Sequence, residues 1–152
     1  MRLNLISKEH PKQKFLFFIA EEIDETKRAA VKQLVDDLAS QRQWVIGPPA
    51  YLDIIEDATN RSGDMPDETL GGVLEIYAAY PPNSLPHEID LLHLEEVEHV
   101  VKAVQKLSLN TGMEFEFELD GRFVGAVEAG TMDSSLSRGL LEEWRNQMNR
   151  RE

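Results

Sequence analysis

The stretch Glu114-Phe115-Glu116-Phe117-Glu118-Leu119 constrains this chain more than any other. Side chains of an extended strand alternate between faces. This period of two therefore puts the glutamates on one face and Phe115, Phe117 and Leu119 on the other. A helix would scatter both sets around its circumference. Asp120-Gly121 follows at once, a pair that tolerates the positive φ angles of a two-residue type I′ turn. Arg122 to Glu128 is then the returning strand. With a plain hairpin the register pairs Phe117 with Val124 and Phe115 with Ala126, which keeps one face apolar. The rest of the chain must supply a layer to cover that face.

Amphipathic helices are the expected cover. Val31, Leu34, Val35 and Leu38 recur at helical spacing, and Asp24 is placed as an N-cap with Glu25 in the first turn, so a helix is expected over Glu25 to Gln41. A longer helix begins between Glu88 and Glu95, buries Val97, Val100, Val101, Val104 and Leu107, and stops at Gly112. Its Glu98 and Lys102 have the favourable i,i+4 order. Asp133 caps a final helix carrying Leu136, Leu140, Leu141, Trp144 and Met148, with Arg145, Arg150 and Arg151 toward its C-terminal end.

Further strands complete the sheet. Lys14 to Ala20 is apolar at nearly every position and reads as a strand buried on both faces. Ala50 to Asp57 and Gly72 to Tyr80 are expected to pair as an antiparallel hairpin across a polar loop at Asn60 to Thr69, with Gly71-Gly72 opening the second strand. Gly47-Pro48-Pro49 and the prolines 81, 82 and 86 mark connections. The order β-α-β-β-α-β-β-α predicts an α+β fold: a single two-layer domain over residues 1–152, with a mostly antiparallel sheet and helices packed on one face.

A chain of 152 residues can bury a sizeable core without covalent staples. It has no cysteine, which excludes disulfides, thiolate metal sites and a cysteine nucleophile. No apolar signal-peptide core is expected at the N-terminus, and Phe15 to Ala20 is far too short to span a bilayer, so a cytoplasmic location is expected. Sixteen Lys and Arg against 28 Asp and Glu give a net charge of −12. That balance opposes binding to nucleic acid or to an anionic membrane, and it favours attraction to a basic protein.

Catalytic motifs are easier to exclude than to find. There is no phosphate-binding glycine loop and no Gly-x-Ser-x-Gly elbow. Ser134, Ser135 and Ser137 sit at a helix start, where hydroxyls cap. Of His10, His87, His93 and His99, only His99 has metal-like spacing, after Glu95 and Glu96. Glu-x-x-His is half of a di-iron motif, but the chain has one copy, so a solvated polar face is expected and no metal. Asp57 to Glu68 has the length of a calcium loop, yet Arg61 at a ligand position would repel the ion. No cofactor is expected.

What remains is the acidic strand face. In the plain register Glu114, Glu116 and Glu118 lie beside Val127, Gly125 and Phe123. Carboxylates next to an aromatic suit one side of a protein interface. Glu114, Glu116, Glu118 and Phe123 are therefore the expected partner-binding residues of a small acidic module that caps a basic partner. Inhibitors of secreted toxins share this composition. The alternatives are a hydrolase or metal-dependent enzyme using Glu95, Glu96 and His99 or the strand carboxylates, and a structural subunit or homodimer joined through Tyr77 to Pro86 or an open sheet edge.

Overall fold

Alternation governs the central strand as it does the acidic one. In a computed structural model, which describes residues 10–56, 67–78 and 85–150, strand β1 (Lys12–Ile19) buries Phe15, Phe17 and Ile19 and leaves Leu16 and Phe18 half-buried. The expectation of burial on both faces is thus corrected. The intervening positions face away from the helices, and their apolar character has another cause. The readings of the extreme N-terminus, of positions 57–66 in the calcium-like loop Asp57 to Glu68, of positions 79–84 in the dimer stretch Tyr77 to Pro86 and of Arg151 fall outside the described residues.

Helix α1 (Glu25–Gln41) has the expected bounds, and Asp24 accepts a hydrogen bond from the Lys27 N–H at 2.9 Å. Strands β2 (Ala50–Glu56) and β3 (Asp67–Tyr77) pair antiparallel. β3 begins earlier than expected, so Gly71 and Gly72 lie within it rather than at its start. A Cβ on Gly72 would come within 2.6 Å of the Phe17 ring and 3.2 Å of Val35. The missing side chain lets α1 settle on the sheet. Helix α2 (His87–Thr111) ends at Gly112, whose N–H donates to the Ser108 carbonyl.

Strands β4 (Phe115–Leu119) and β5 (Arg122–Glu128) form the hairpin, with Asp120 at φ 54° and Gly121 at φ 86° in its turn. The register differs from the plain one. Glu118 faces Phe123 as expected, but Phe117 pairs with Gly125 and Phe115 with Val127, because β5 carries an extra residue at a bulge. Gly125 has φ 152°, and a Cβ there would lie 2.4 Å from the Leu136 side chain. The bulge thus makes room for the C-terminal helix to cross the sheet. A two-residue strand β6 (Thr131–Met132), not foreseen from the sequence, continues the meander.

Asp133 caps the final helix as expected, accepting from the Leu136 N–H at 2.9 Å. Its first part, Ser135–Glu142, is π-helical and gives way to α3 (Glu143–Arg150). The sheet order is β2-β3-β1-β4-β5-β6, and every pairing is antiparallel. β1 and β2 therefore run parallel with β3 between them, and β3 and β4 run parallel with β1 between them. Two such split βαβ units are the connectivity of the ferredoxin-like plait, here extended by β5, β6 and the last helix. Connectivity of this kind carries no function by itself.

The core lies between the sheet and its helices. Phe15, Phe17, Leu74, Ile76, Phe115, Phe117 and Val127 meet Val31, Val35 and Leu38 of α1, Val97, Val100, Val101 and Val104 of α2, and Leu136. Phe15 and Phe117 stack with ring centroids 5.6 Å apart. Each such phenylalanine contributes roughly 1.5–3 kcal/mol through burial. The α+β reading, with an antiparallel sheet and helices on one face, is the architecture found.

Candidate functional site

The same pleat that buries one face leaves the other without a helix among the described residues. The ladders align two rows across it. One runs Ala50, Val73, Leu16, Glu118, Phe123, and the next runs Leu52, Gly71, Phe18, Glu116, Ala126. Leu16, Phe18, Val73 and Leu52 are half-buried, as are Glu116 and Glu118. Phe123 is 55% exposed, and Ile54, farther along β2, is 45% exposed. The face thus has an aliphatic and aromatic middle, with carboxylates on the β4 side.

Charge on this face is polarised. Lys14 lies opposite Glu75, and Lys12 occupies the next outward position at one end of β1. Glu116 and Glu118 stand toward the other end, opposite Phe18 and Leu16. Glu114 precedes β4. Its carbonyl accepts from the Ala20 N–H, and its own N–H donates to Glu21 at 2.6 Å. The fold therefore brings Glu116, Glu118 and Phe123 onto one surface and places Glu114 at its margin. A one-residue slip would have turned these carboxylates into the core, so Phe115 and Phe117 fix the face by their burial.

Glu95, Glu96 and His99 do not converge. Glu96 is fully buried and bonded at both oxygens: Oε2 accepts from the Val45 N–H at 2.6 Å and Oε1 meets His93 Nδ1 at 2.8 Å. The Tyr77 N–H reaches His93 Nε2 at 3.1 Å. A backbone N–H can only donate, so Nε2 holds the lone pair and Nδ1 carries the proton given to Glu96. A neutral imidazole and a carboxylate thus bind the end of β3, α2 and the segment after α1 to one another. This chain of bonds leaves neither side chain open to a substrate.

His99 instead bonds Gln41 Oε1 at 2.7 Å and meets the Trp44 ring edge-on at 5.8 Å. Partial burial, then the charges of Arg42 and Lys102, lower its pKa. Glu95 is exposed. Among the described residues no three His, Asp or Glu side chains are grouped to hold a metal.

The sequence pointed to Glu116, Glu118 and Phe123 but not to their neighbours Leu16, Phe18, Val73 and Leu52. The signal for those lay in the uninterrupted apolar run of β1, whose second face needed an explanation once the sheet had helices on one side only. Comparison with protein-family models, with curated proteins and with solved structures finds no match.

Proposed function

We propose that this chain is a protein-binding module that docks a basic partner on the helix-free face of its sheet. The observation that carries the reading is the pairing, on adjacent strands, of Glu116 with Phe18 and of Glu118 with Leu16 and Phe123. Apolar side chains bordered by carboxylates on the β4 side supply the desolvated centre and part of the polar rim of an interface. The net charge of −12 steers a cationic surface toward it. The charge-depleted middle then gives it something to bury. Neutralising or capping a basic protein in the same compartment is the role that fits these features, and the cytoplasm is the compartment proposed.

The test compares two double variants of equal charge change. Glu116→Lys with Glu118→Lys alters the sheet face, whereas Glu95→Lys with Glu98→Lys alters α2. A basic protein captured from host extract by the wild type and by the α2 variant, but lost at high salt and lost by the face variant, supports the reading. Equal loss from both variants would reduce the interaction to overall acidity. Retention by the face variant would sink the proposal.

One observation favours a second reading. Among the described residues β2 is an edge strand carrying exposed Ile54 and Ile55, at 45% and 59%. Unpaired edges with apolar side chains join to other strands, so two copies could associate edge to edge. Light scattering across concentration tests this, and a constant monomer mass excludes it.

A further inference from the structure

Asp90, His93, Glu96 and Ser108 are the buried polar side chains among the described residues. Ser108 accepts from the Gly130 N–H, and Asp90 accepts from the Trp144 indole N–H. Glu96 accepts from the Val45 N–H and from His93 Nδ1, and both of these donors are neutral. His93 is its ion-pair partner among the described residues, and becomes one only on taking up a proton. The two side chains together therefore bury a net negative charge, which is costly away from water.

The other nitrogen of the same ring holds a strand. β1 lies along one edge of β3 as far as Tyr77, but β2 covers the opposite edge only from Asp67 to Val73. Past that point the Tyr77 N–H donates to His93 Nε2 at 3.1 Å. An imidazole lone pair thus stands where the carbonyl of a neighbouring strand would. We propose that His93 is an acid-sensitive latch: a proton taken up at Nε2 breaks the bond to Tyr77 and frees the end of β3 from α2. Two opposing effects make the ring a switch. Glu96 draws the proton, because an imidazolium turns the buried negative charge into an ion pair. The Tyr77 N–H opposes it, because an imidazolium has no lone pair and two facing donors cannot bond. Imidazole is also the side chain that takes up protons most readily as a neutral solution is acidified.

The other ionisable groups on the sides of this cluster are Asp90, one turn earlier on α2, and the Tyr77 phenol, whose ring lies 5.8 Å from that of His93. His10 and Lys12 lie beyond the Tyr77 ring, at 5.7 and 6.0 Å from its centroid. The segment after α1 brings the Val45 backbone, and Val45, Leu85 and Ile89 pack together as an apolar cluster. His10 Nε2 donates to the Ala78 carbonyl at 2.7 Å, a bond that protonation keeps, because an imidazolium still donates. Acid thus separates the end of β3 from α2 while its ties to the chain before β1 hold. The latch lies within the packed interior, and this inference is independent of the docking face.

The test follows the His93 ring nitrogens and the Tyr77 amide by NMR as the intact protein is acidified. His93 Nε2 should change from a lone-pair nitrogen to an N–H, and the Tyr77 amide should shift with the same midpoint. Protection of that amide against hydrogen exchange should fall about tenfold or more, while the amides of Phe17 and Phe117 keep theirs. His93→Gln retains an acceptor and a donor but cannot titrate, so the Tyr77 response should vanish. His10→Gln should leave the response in place, which separates the two histidines. The wild-type readings decide the matter even where a variant fails to fold. A His93 ring that stays neutral until the whole protein unfolds would overturn the proposal. So would a Tyr77 amide that does not move with the ring, or a response that survives His93→Gln.

Discussion

The two faces of the sheet are built from the same strands and differ in what their alternate residues meet. On the helix side Phe15, Phe17, Phe115 and Phe117 are at most 1% exposed and packed against valines and leucines of α1 and α2. One residue along, Leu16 and Phe18 remain half-buried and share their rows with Glu116 and Glu118. Hydrophobic character is thus spent on stability on one face and remains available for contact on the other. Packing against α1 and α2 does not require four neighbouring apolar residues on the face that carries no helix among the described residues, and this is the observation behind the docking proposal.

The sharpest way to break this comparison is to truncate one phenylalanine on each face. Phe117→Ala should lower unfolding free energy by about 3–5 kcal/mol, because it removes a fully buried ring and leaves a cavity. Phe18→Ala should cost clearly less, about 1 kcal/mol or under, since its ring is already partly in water. Urea denaturation measures both, and equal losses would mean the second face is covered.

Polar groups sharpen the same contrast at a smaller scale. Glu96→Ala orphans the Val45 N–H and the His93 Nδ1–H inside the protein, each costing about 1–3 kcal/mol, for a loss of roughly 2–6 kcal/mol. Glu118→Ala, whose carboxylate stands on the open face, should stay within about 0.5 kcal/mol of the wild type. Similar values for the two would show that the buried chain of bonds is not what ties β3 to α2.

The smallest effect lies where cover is partial. His99 has a lowered pKa, caused first by burial and then by Arg42 and Lys102. The unfolded chain then takes up a proton at about 6.5, before the folded one does. Stability from this group is full above that pH and falls as pH drops toward the folded pKa. His99→Gln should flatten the dependence, and an NMR titration of His99 should show a midpoint below the usual histidine value. A midpoint at or above it would remove the effect.

Much of this architecture was readable in particular residues. Asp24, Val31, Val35 and Leu38 gave α1, and Asp120-Gly121 gave the hairpin turn, because capping, periodicity and turn chemistry act over a few residues. The bulge at Gly125 was not readable. It answers to Leu136 pressing on the strand from the C-terminal helix, a contact that no local pattern records. The π-helical start of that helix was missed for the same reason: its apolar residues also fit an α-helix. Glu96 looked like a member of a solvated Glu-x-x-His face. It became a buried structural group because Val45 and His93 converge on it.

Sequence alone determined the α+β class, the elements other than the short β6, the acidic strand and which of its faces is apolar, since local propensities and a period of two need no distant partner. Tertiary structure decided the order of the strands and the pairing of Leu16 and Phe18 with the carboxylates. It also placed Asp90 beside Trp144 across 54 residues of chain. Those outcomes depend on which surfaces bury each other, and burial is a property of the whole packed molecule.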